Sequence, residues 1–293
     1  MIRRLCSGTV MSAVLVCLLV VGTYADEAKK RLTIAVFPCI DPVMAFKRFD
    51  PLVTYVEQET GFDIRLVDPT DPIQFETALK NRDIDFAFQD VGTYVRLAGL
   101  YDSGALLRAL TRKGTATQSG VVIVKKGSGM NKVEDLRGKV VLFGPKNSTD
   151  RWVEAKLLFE ESGLDIDKDL KAYSNGRSCE CMAFSVQFRG VDAAVVCDRF
   201  FEEHCEEYQQ LGVEPKKLVV IGRTKLVPTR VLAPHRDIDR DIVNKVNQAL
   251  LRLDKKMPVH DSILHHSELG GFQRANDEEF DDTRRQLGMK TAR

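Results

Sequence analysis

Short apolar runs alternate with amphipathic segments along most of this chain. The run RLTIAVFP (31–38) predicts a buried strand, and DPLVTYVEQETG after it predicts a helix that begins at Pro51 and ends before Gly61. DIRLVDP and IDFAFQD (84–90) continue the pattern as strands, with the helix IQFETALKNRD between them and the helix TYVRLAGL after them. Strands that alternate with helices indicate a parallel sheet covered by helices.

The alternation restarts after residue 118. GVVIVKKGSG, KVVLFGP, VDAAVVCD and KLVVIGRT predict strands, and NSTDRWVEAKLLFEESG and CECMAFSVQFRG predict helices. A further strand, TRVLAP, precedes a long helix that Pro258 ends. We therefore predict an α/β protein of two lobes, each a mostly parallel sheet flanked by helices. Lobe 1 comprises residues 26–118 and 225–293, and lobe 2 (119–224) is inserted in it, so that two chain crossings form a hinge.

The N-terminal residues 1–25 have the pattern of a secretory signal peptide. A basic start, MIRR, precedes the apolar run VMSAVLVCLLVVG, and TYA supplies small residues for cleavage after Ala25. The apolar run is shorter than the roughly 20 residues of a membrane-spanning helix. We expect export to the periplasm, and a retained N-terminal anchor is the alternative.

Charge and motifs narrow the function classes. The 293 residues include 43 Lys and Arg against 42 Asp and Glu, a formal net charge of +1 with no basic cluster. This balance argues against nucleic-acid binding. The chain has no G-x-S-x-G elbow, P-loop or H-E-x-x-H sequence. We expect a monomeric binding protein that is not an enzyme and needs no cofactor.

A candidate ligand site lies where a predicted strand leads into a helix. In open parallel α/β sheets, ligands bind beyond the carboxyl ends of the strands. FGPKNSTDRW leaves a strand at Phe143 and enters a helix near Ser148. The hydroxyls of Ser148 and Thr149, with Asn147 and the free amides of the first turn, would cradle an oxyanion. Simple helix capping explains the same residues, and Asp150 suits the first turn of any helix.

The cysteines form a second candidate site. Five of the seven remain after cleavage, namely Cys39, Cys179, Cys181, Cys197 and Cys205. Cys39, Cys179 and Cys197 follow strands or open a helix, at the edge that would face a cleft. We expect Cys179 to face the ligand with a pKa lowered by the helix N-terminus, and Cys181 to turn into the lobe.

Three interpretations of these cysteines stay open. The first is a structural disulfide, either Cys179–Cys197 or Cys181–Cys205, which an oxidising compartment allows. The second is a thiol site for a soft ion such as Cu(I), Zn or arsenite, built from Cys39, Cys179 and Cys197. The third is inert packing, since a free cysteine behaves as a small buried hydrophobe.

Five stretches cover most of the chain after residue 33, namely IAVFPCIDPVMAFKRFDPLVTYVEQETG, ALKNRDIDFAFQDVGTYVRLAG, GSGMNKVEDLRGKVVLFGPKNSTDRWVEAKLLFEESGLDID, GRSCECMAFSVQFRGVDAAVV and ELGGFQRANDEEFDDTRRQLG. Together they resemble the PhnD-like family, the phosphonate- and phosphite-type periplasmic substrate-binding proteins of ABC transporters. Their order and spacing carry the resemblance. It implies a type II periplasmic-binding-protein fold that clamps a ligand between two lobes and delivers it to an ABC permease.

The resemblance also implies roles for particular residues. Tyr94 matches the family's cleft tyrosine. Ser148 and Thr149 match the hydroxyl pair that holds the ligand's anionic head, and Ser178 matches the serine of a Ser-His pair that opens the next helix.

Two residues depart from the family pattern. Asp150 stands where the family usually has a further serine, and Cys179 stands where it has the histidine. A carboxylate beside a bound dianion repels it, whereas serine donates a hydrogen bond. The departures therefore suggest an alternative function, in which the protein binds or senses a thiophilic ion together with a membrane sensor kinase.

Overall fold

The structure, a computed structural model, describes residues 30–37, 42–69, 71–176, 178–204, 209 and 212–291. In these ranges the strands form two large sheets and one two-stranded ribbon. Each large sheet is the centre of one lobe, so the predicted two-lobed α/β fold is confirmed. Within these ranges, no helix is both long and apolar enough to cross a membrane.

Lobe 1 is built on a six-stranded mixed sheet. Its strands are β1 (Arg31–Val36), β2 (Asp63–Val67), β3 (Phe86–Gln89), β4 (Leu107–Leu110), β12 (Val231–Pro234) and β13 (Gly271–Arg274). They lie in the order β13-β4-β12-β3-β1-β2. β1 pairs in parallel with β2 and β3, whereas β12 is antiparallel to β3 and β4. The carboxyl ends of β1 and β3 therefore meet at one edge, beside the start of β12.

Six helices accompany this sheet. They are α1 (Pro42–Thr60), α2 (Pro72–Lys80), α3 (Val91–Leu97), α6 (Arg240–Leu251), α7 (Pro258–His266) and α8 (Asp281–Gln286). Asp71 caps α2 by accepting hydrogen bonds from two first-turn amides. The rings of Phe75, Phe86 and Phe280 are completely buried in the core of the lobe. Burial of such apolar area is the main driving force that holds helices to the sheet.

The first helix starts earlier than the sequence predicted. Pro51 lies inside α1, although it was expected at the first helical position. A proline removes one backbone hydrogen bond from the helix interior. The buried stripe continues on both sides of it, through Ala45, Phe49 and Val53. Packing of that stripe on the lobe outweighs the local preference of proline for a helix start.

Lobe 2 is built on a five-stranded sheet with both faces covered. Its strands are β6 (Gly120–Lys125), β7 (Val140–Phe143), β8 (Ala172–Asn175), β9 (Ala193–Cys197) and β10 (Leu218–Arg223), in the order β10-β6-β9-β7-β8. Its helices are α4 (Glu154–Glu161) and α5 (Cys179–Gln187). Alternate residues of β6 enter two separate apolar clusters, one on each face of the sheet. β6 is antiparallel to its neighbours β9 and β10. Both large sheets therefore contain more antiparallel pairs than the mostly parallel sheets that the alternation predicted.

A short ribbon lies where the chain passes between the sheets. β5 (Thr117–Gln118) pairs with β11 (Val227–Pro228) in antiparallel register. Along the chain, β5 lies between β4 of lobe 1 and β6 of lobe 2, and β11 lies between β10 of lobe 2 and β12 of lobe 1.

Side chains of the two lobes contact each other across the cleft. Arg48 of α1 pairs with Glu180 of α5 at 3.8 Å, and both side chains are mostly buried. Gln286 of α8 donates to Glu154 of α4. The structure is therefore a closed form of the two-lobed fold.

Candidate functional site

A pocket between the lobes is lined by residues from both of them. Lobe 1 contributes Phe37, Asp90 and Arg230, and Gln118 comes from the ribbon. Lobe 2 contributes Pro145, Asn147, Ser148, Asp150, Arg151, Cys197 and Arg199. The free volume is about 30 Å³, and one water needs roughly 10–15 Å³. In this closed form the pocket suits a small, compact group.

Three arginines bring positive charge to the pocket. Arg230 immediately precedes β12, Arg199 follows β9, and Arg151 lies in the turn that opens α4. Arg199 Nε donates to Gln118 Oε1 at 3.1 Å, and its Nη1 donates to the Glu268 carbonyl at 3.4 Å. Guanidinium groups suit oxyanion recognition because their planar donors match two oxygens at once.

Asp90 joins the two lobes at the wall of the pocket. It caps α3 at the end of β3, and its Oδ1 accepts from the Gly92 amide at 2.8 Å. The same oxygen accepts from the Thr149 hydroxyl of lobe 2 at 2.6 Å. Burial, followed by the nearby charge of Asp150, raises the pKa of Asp90. The carboxyl group therefore holds a proton more readily than an exposed aspartate does.

Ser148, Thr149 and Asp150, three of the predicted ligand residues, lie together where lobe 2 meets lobe 1, and Ser148 and Asp150 line the pocket. Thr149–Val153 form a π-helical turn that leads into α4, and Ser148 caps it. The Ser148 hydroxyl donates to Asp150 Oδ1 at 2.5 Å. Since the Thr149 hydroxyl donates to Asp90, both expected ligand donors are engaged by carboxylates in this form. Asp150 Oδ2 also accepts from Gln118 Nε2 at 3.2 Å.

The tight fold of this turn depends on a glycine. A Cβ on Gly144 would lie 2.4 Å from the Cβ of Arg151. The Gly144 amide donates to the Arg151 carbonyl at 3.1 Å, which holds the turn against the end of β7. Any larger residue at position 144 would push Arg151 away from the pocket.

Two further predicted site residues, Asn147 and Ser178, lie in different places. Asn147 lines the pocket, and its Nδ2 donates to Thr93 of lobe 1 at 3.3 Å. Ser178 caps α5 by accepting from the Cys181 amide at 3.2 Å, and it is not one of the residues that line the pocket.

Tyr94 does not line the pocket. Its ring is completely buried between Tyr101 and Phe280, and its hydroxyl donates to Asp277 Oδ1 at 2.7 Å. The expectation of a cleft tyrosine is wrong for this residue, because α3 turns Tyr94 into the core of lobe 1 against α8. Burial and the hydrogen bond to Asp277 raise its pKa, which keeps the hydroxyl protonated.

Two cysteines meet at one wall of the pocket. Cys197 lines the pocket and Cys179 lies behind it, with 3.3 Å between their Sγ atoms. Both are free thiols, as is Cys181, which is exposed rather than turned into the lobe. Arg151 Nη1 donates to Cys179 Sγ at 3.3 Å.

The expected acidity of these thiols is reversed. The hydrogen bond between the pair and burial raise the pKa of Cys179, whereas the bond from Cys179 lowers the pKa of Cys197 to about 7. Of the two thiols, Cys197 at the strand end is therefore the more acidic. Cys39 and Cys205 lie outside the described residues, which in themselves contain no cluster of three or more His, Cys, Asp or Glu able to hold a metal ion.

Sequence reasoning missed several pocket residues. Asp90 carried a usable signal, because it directly follows a buried strand whose carboxyl end was predicted to face ligands. Arg199 lies two residues after the end of β9 and carried a similar signal. Arg230 carried no such signal because it precedes β12, which is antiparallel to β3. Gln118 carried none because it lies in β5, a strand of two residues in the short ribbon.

Comparison with known proteins agrees with this architecture. The family described as ABC transporter, phosphonate, periplasmic substrate-binding protein matches residues 34–280. The binding protein component of an ABC phosphonate transporter from Pseudomonas aeruginosa has a TM-score of 0.77 and 16% identity, with 88% of this chain and 86% of that chain covered. PhnD1 from Prochlorococcus marinus, in complex with methylphosphonate, also has a TM-score of 0.77 and 16% identity, with 89% and 99% covered.

A Xanthomonas citri protein bound to chloride ion has a TM-score of 0.67 and 18% identity, with 88% and 95% covered. At these identities the similar structures show a shared fold. Neither they nor the family support the alternative of a thiol-based ion sensor. The family match covers most of the chain and includes every residue of the pocket. This chain therefore belongs to the family of periplasmic substrate-binding proteins of ABC phosphonate transporters.

Proposed function

We propose that this protein captures a small oxyanion of the phosphonate, phosphite or phosphate type between its lobes and delivers it to an ABC permease. The observation that carries the proposal is the convergence of Arg151, Arg199 and Arg230 on one interlobe pocket. Guanidinium groups that converge on one pocket suit an anionic ligand, and phosphorus oxyanions match their planar donors. The complex of PhnD1 with methylphosphonate supports the choice of ligand class.

Binding is coupled to closure because each lobe supplies part of the pocket. Arg230 and Asp90 belong to lobe 1, whereas Arg151 and Arg199 belong to lobe 2. A ligand that contacts both sets favours the closed form over an open one. We place the hinge at the β5–β11 ribbon, with lobe boundaries near residues 118 and 225. The closed form would then be the form that the permease recognises.

The rest of the proposal concerns location and partners. We propose cleavage after Ala25, so that a monomer begins at Asp26 in the periplasm, as suits a periplasmic family. The chemistry is binding alone, without a catalytic step or a cofactor. A permease is the favoured membrane partner because the family serves ABC transporters, and a sensor kinase is the alternative.

Isothermal titration calorimetry of the mature protein with methylphosphonate, phosphite and phosphate tests the proposal. We expect at least one of them to bind, and Arg199→Gln to weaken that binding by about 10- to 100-fold, the equivalent of a charge-assisted hydrogen bond. Arg82→Gln is the matched control, because Arg82 pairs with Asp237 on the surface of lobe 1.

Two results would contradict the proposal. One is an absence of heat with all three oxyanions. The other is equal affinity in the wild type and Arg199→Gln, which would locate the ligand elsewhere. Circular dichroism of both variants shows whether they remain folded.

A further inference from the structure

A pair of cysteines at the pocket has no part in the proposed binding of an oxyanion. Cys197 ends β9 and lines the pocket, and Cys179 opens α5 and is buried beside it. Both are free thiols, and their Sγ atoms are 3.3 Å apart. The Cys197 amide also donates to Cys179 Sγ at 3.3 Å, which keeps the strand end against the helix start. The two thiols are therefore placed to react with each other.

The Cys197 thiol lies among guanidinium groups that the ligand needs. The hydrogen bond from Cys179, assisted by the charges of Arg199 and Arg151, lowers the pKa of Cys197 to about 7. Arg151 Nη1 also donates to Cys179 Sγ at 3.3 Å. A Cys197 thiolate and a bound oxyanion would therefore share the same positive charges. The two anions would also repel each other across a small pocket.

We propose that Cys179 and Cys197 are a redox modification site of the pocket, and that their oxidation to a disulfide raises the affinity for oxyanions. The inference rests on the proposed function, because it concerns regulation of the same pocket. A thiol can ionise, whereas a disulfide has no proton to lose and carries no charge. Oxidation therefore removes an anion from the pocket wall, so that a thiolate no longer opposes the charges of Arg151 and Arg199. The reduced protein is the weaker binder once Cys197 has ionised.

The oxidation is a thiol–disulfide exchange with a disulfide oxidant, which an oxidising compartment can supply. The Cys197 thiolate attacks one sulfur of the oxidant and expels the other as a thiolate. Cys179 then loses its proton and attacks Cys197 Sγ in the mixed disulfide, which expels the second thiolate. The Cys179–Cys197 bond forms as the disulfide bond of the oxidant breaks. The oxidant is reduced to two thiols, which take up the two protons that the cysteines lose.

The effect should depend on pH, because the charge that oxidation removes does so. The reduced protein should bind as tightly as the disulfide form well below pH 7, and more weakly as the pH rises through the Cys197 pKa of about 7. Ionisation of the ligand affects both forms alike, so the ratio of the two affinities isolates the cysteines. The charged or titratable groups that face Cys197 are Cys179 of α5, Asp150 and Arg151 of the turn before α4 and Arg199 after β9, with Asp90 and Arg230 on the lobe 1 side of the pocket.

Calorimetric titration with methylphosphonate tests the inference on two forms of the wild type. One is reduced with dithiothreitol, and the other is oxidised with oxidised glutathione and freed of it by gel filtration. We expect the disulfide form to bind at least about 10-fold more tightly at about pH 8.5. At about pH 6 we expect the two affinities to agree within about 2-fold. Peptide mapping without reductant should find the Cys179–Cys197 bond in the oxidised sample.

Two variants assign the effect to the pair. Cys197→Ser removes both the thiolate and the disulfide, so it should bind methylphosphonate equally after either treatment at both pH values. Cys181→Ser is the matched control, because Cys181 is an exposed free cysteine on the same helix, and it should keep both wild-type ratios. Circular dichroism shows whether the variants are folded. The two wild-type forms decide the inference even if Cys197→Ser fails to fold.

Four results would overturn the inference and leave the proposed function intact. They are a disulfide form that binds no more tightly than the reduced form at about pH 8.5, the same ratio at both pH values, a folded Cys197→Ser that still responds to oxidation, or no Cys179–Cys197 bond in the oxidised protein. Failure of both wild-type forms to bind methylphosphonate, phosphite or phosphate is a different outcome. It would overturn the proposed function together with the inference.

Discussion

The Tyr94→Phe variant separates a structural role of this tyrosine from a ligand-binding one. The Tyr94 hydroxyl donates to Asp277 Oδ1 at 2.7 Å, and Arg284 Nη2 binds the same oxygen. Phenylalanine keeps the ring contacts with Tyr101 and Phe280. The substitution therefore removes one hydrogen bond to a carboxylate that remains paired with an arginine.

The expected loss follows from that single bond. A hydrogen bond to a charged group contributes about 1.5–3 kcal/mol to the free energy of unfolding. For a protein of this size, about 2 kcal/mol corresponds to a fall in Tm of about 4–8 °C. Ligand affinity should stay unchanged, because Tyr94 is completely buried and absent from the pocket wall. Thermal unfolding and calorimetric titration of the same sample measure the two quantities.

Tyr101→Phe is the matched control for this variant. Tyr101 stacks on Tyr94 with 5.6 Å between the ring centroids. Within the described residues its buried hydroxyl has no hydrogen-bond partner of normal geometry. Its removal should leave Tm unchanged or raise it, since a buried polar group without a partner is destabilising. The reasoning is refuted if Tyr94→Phe keeps the wild-type Tm but binds methylphosphonate at least about 10-fold more weakly.

Three further predictions concern the pocket and the closed form. Burial and a neighbouring carboxylate raise the pKa of Asp90 in the folded state above the value of 3.8 for the unfolded chain. The stability that the Asp90 carboxyl contributes is therefore present below pH 3.8 and is lost as the pH rises through the folded-state pKa. Asp90→Asn should accordingly raise the Tm of ligand-free protein at about pH 7 and give little gain near pH 4, and a gain independent of pH would contradict this. Glu180→Gln removes the charge that Arg48 contacts across the cleft at 3.8 Å, so small-angle scattering should show a larger radius of gyration without ligand, and an unchanged radius would refute it. Oxidised glutathione should oxidise Cys179 and Cys197 to a disulfide, because their sulfurs are 3.3 Å apart, and is itself reduced to two glutathione thiols. Peptide mapping without reductant should find the Cys179–Cys197 disulfide, and glutathione adducts on both cysteines would contradict the prediction.

Local pattern in the sequence was sufficient for the main features of the fold. The alternation of strands and helices predicted two α/β lobes, and the strand end at Phe143 drew attention to Ser148 and Asp150, which the structure places in the pocket lining. Both inferences rely on short-range regularities, namely side-chain periodicity and helix capping, which neighbouring residues encode. The order of the quoted stretches was sufficient for the family, which the match over residues 34–280 confirms.

Tertiary structure alone decided which side chains share the pocket and what they do there. Arg230 lies in the pocket because it directly precedes β12, which is antiparallel to β3. Asp90 and Arg230 are far apart in the sequence, so the sequence alone does not show that they are close in space. The same is true of Tyr94, whose neighbour in space, Asp277, lies 183 residues away. The engagement of the Thr149 hydroxyl by Asp90 also depends on how two lobes meet. Such contacts between distant segments depend on the packing of whole sheets, and no local periodicity records them.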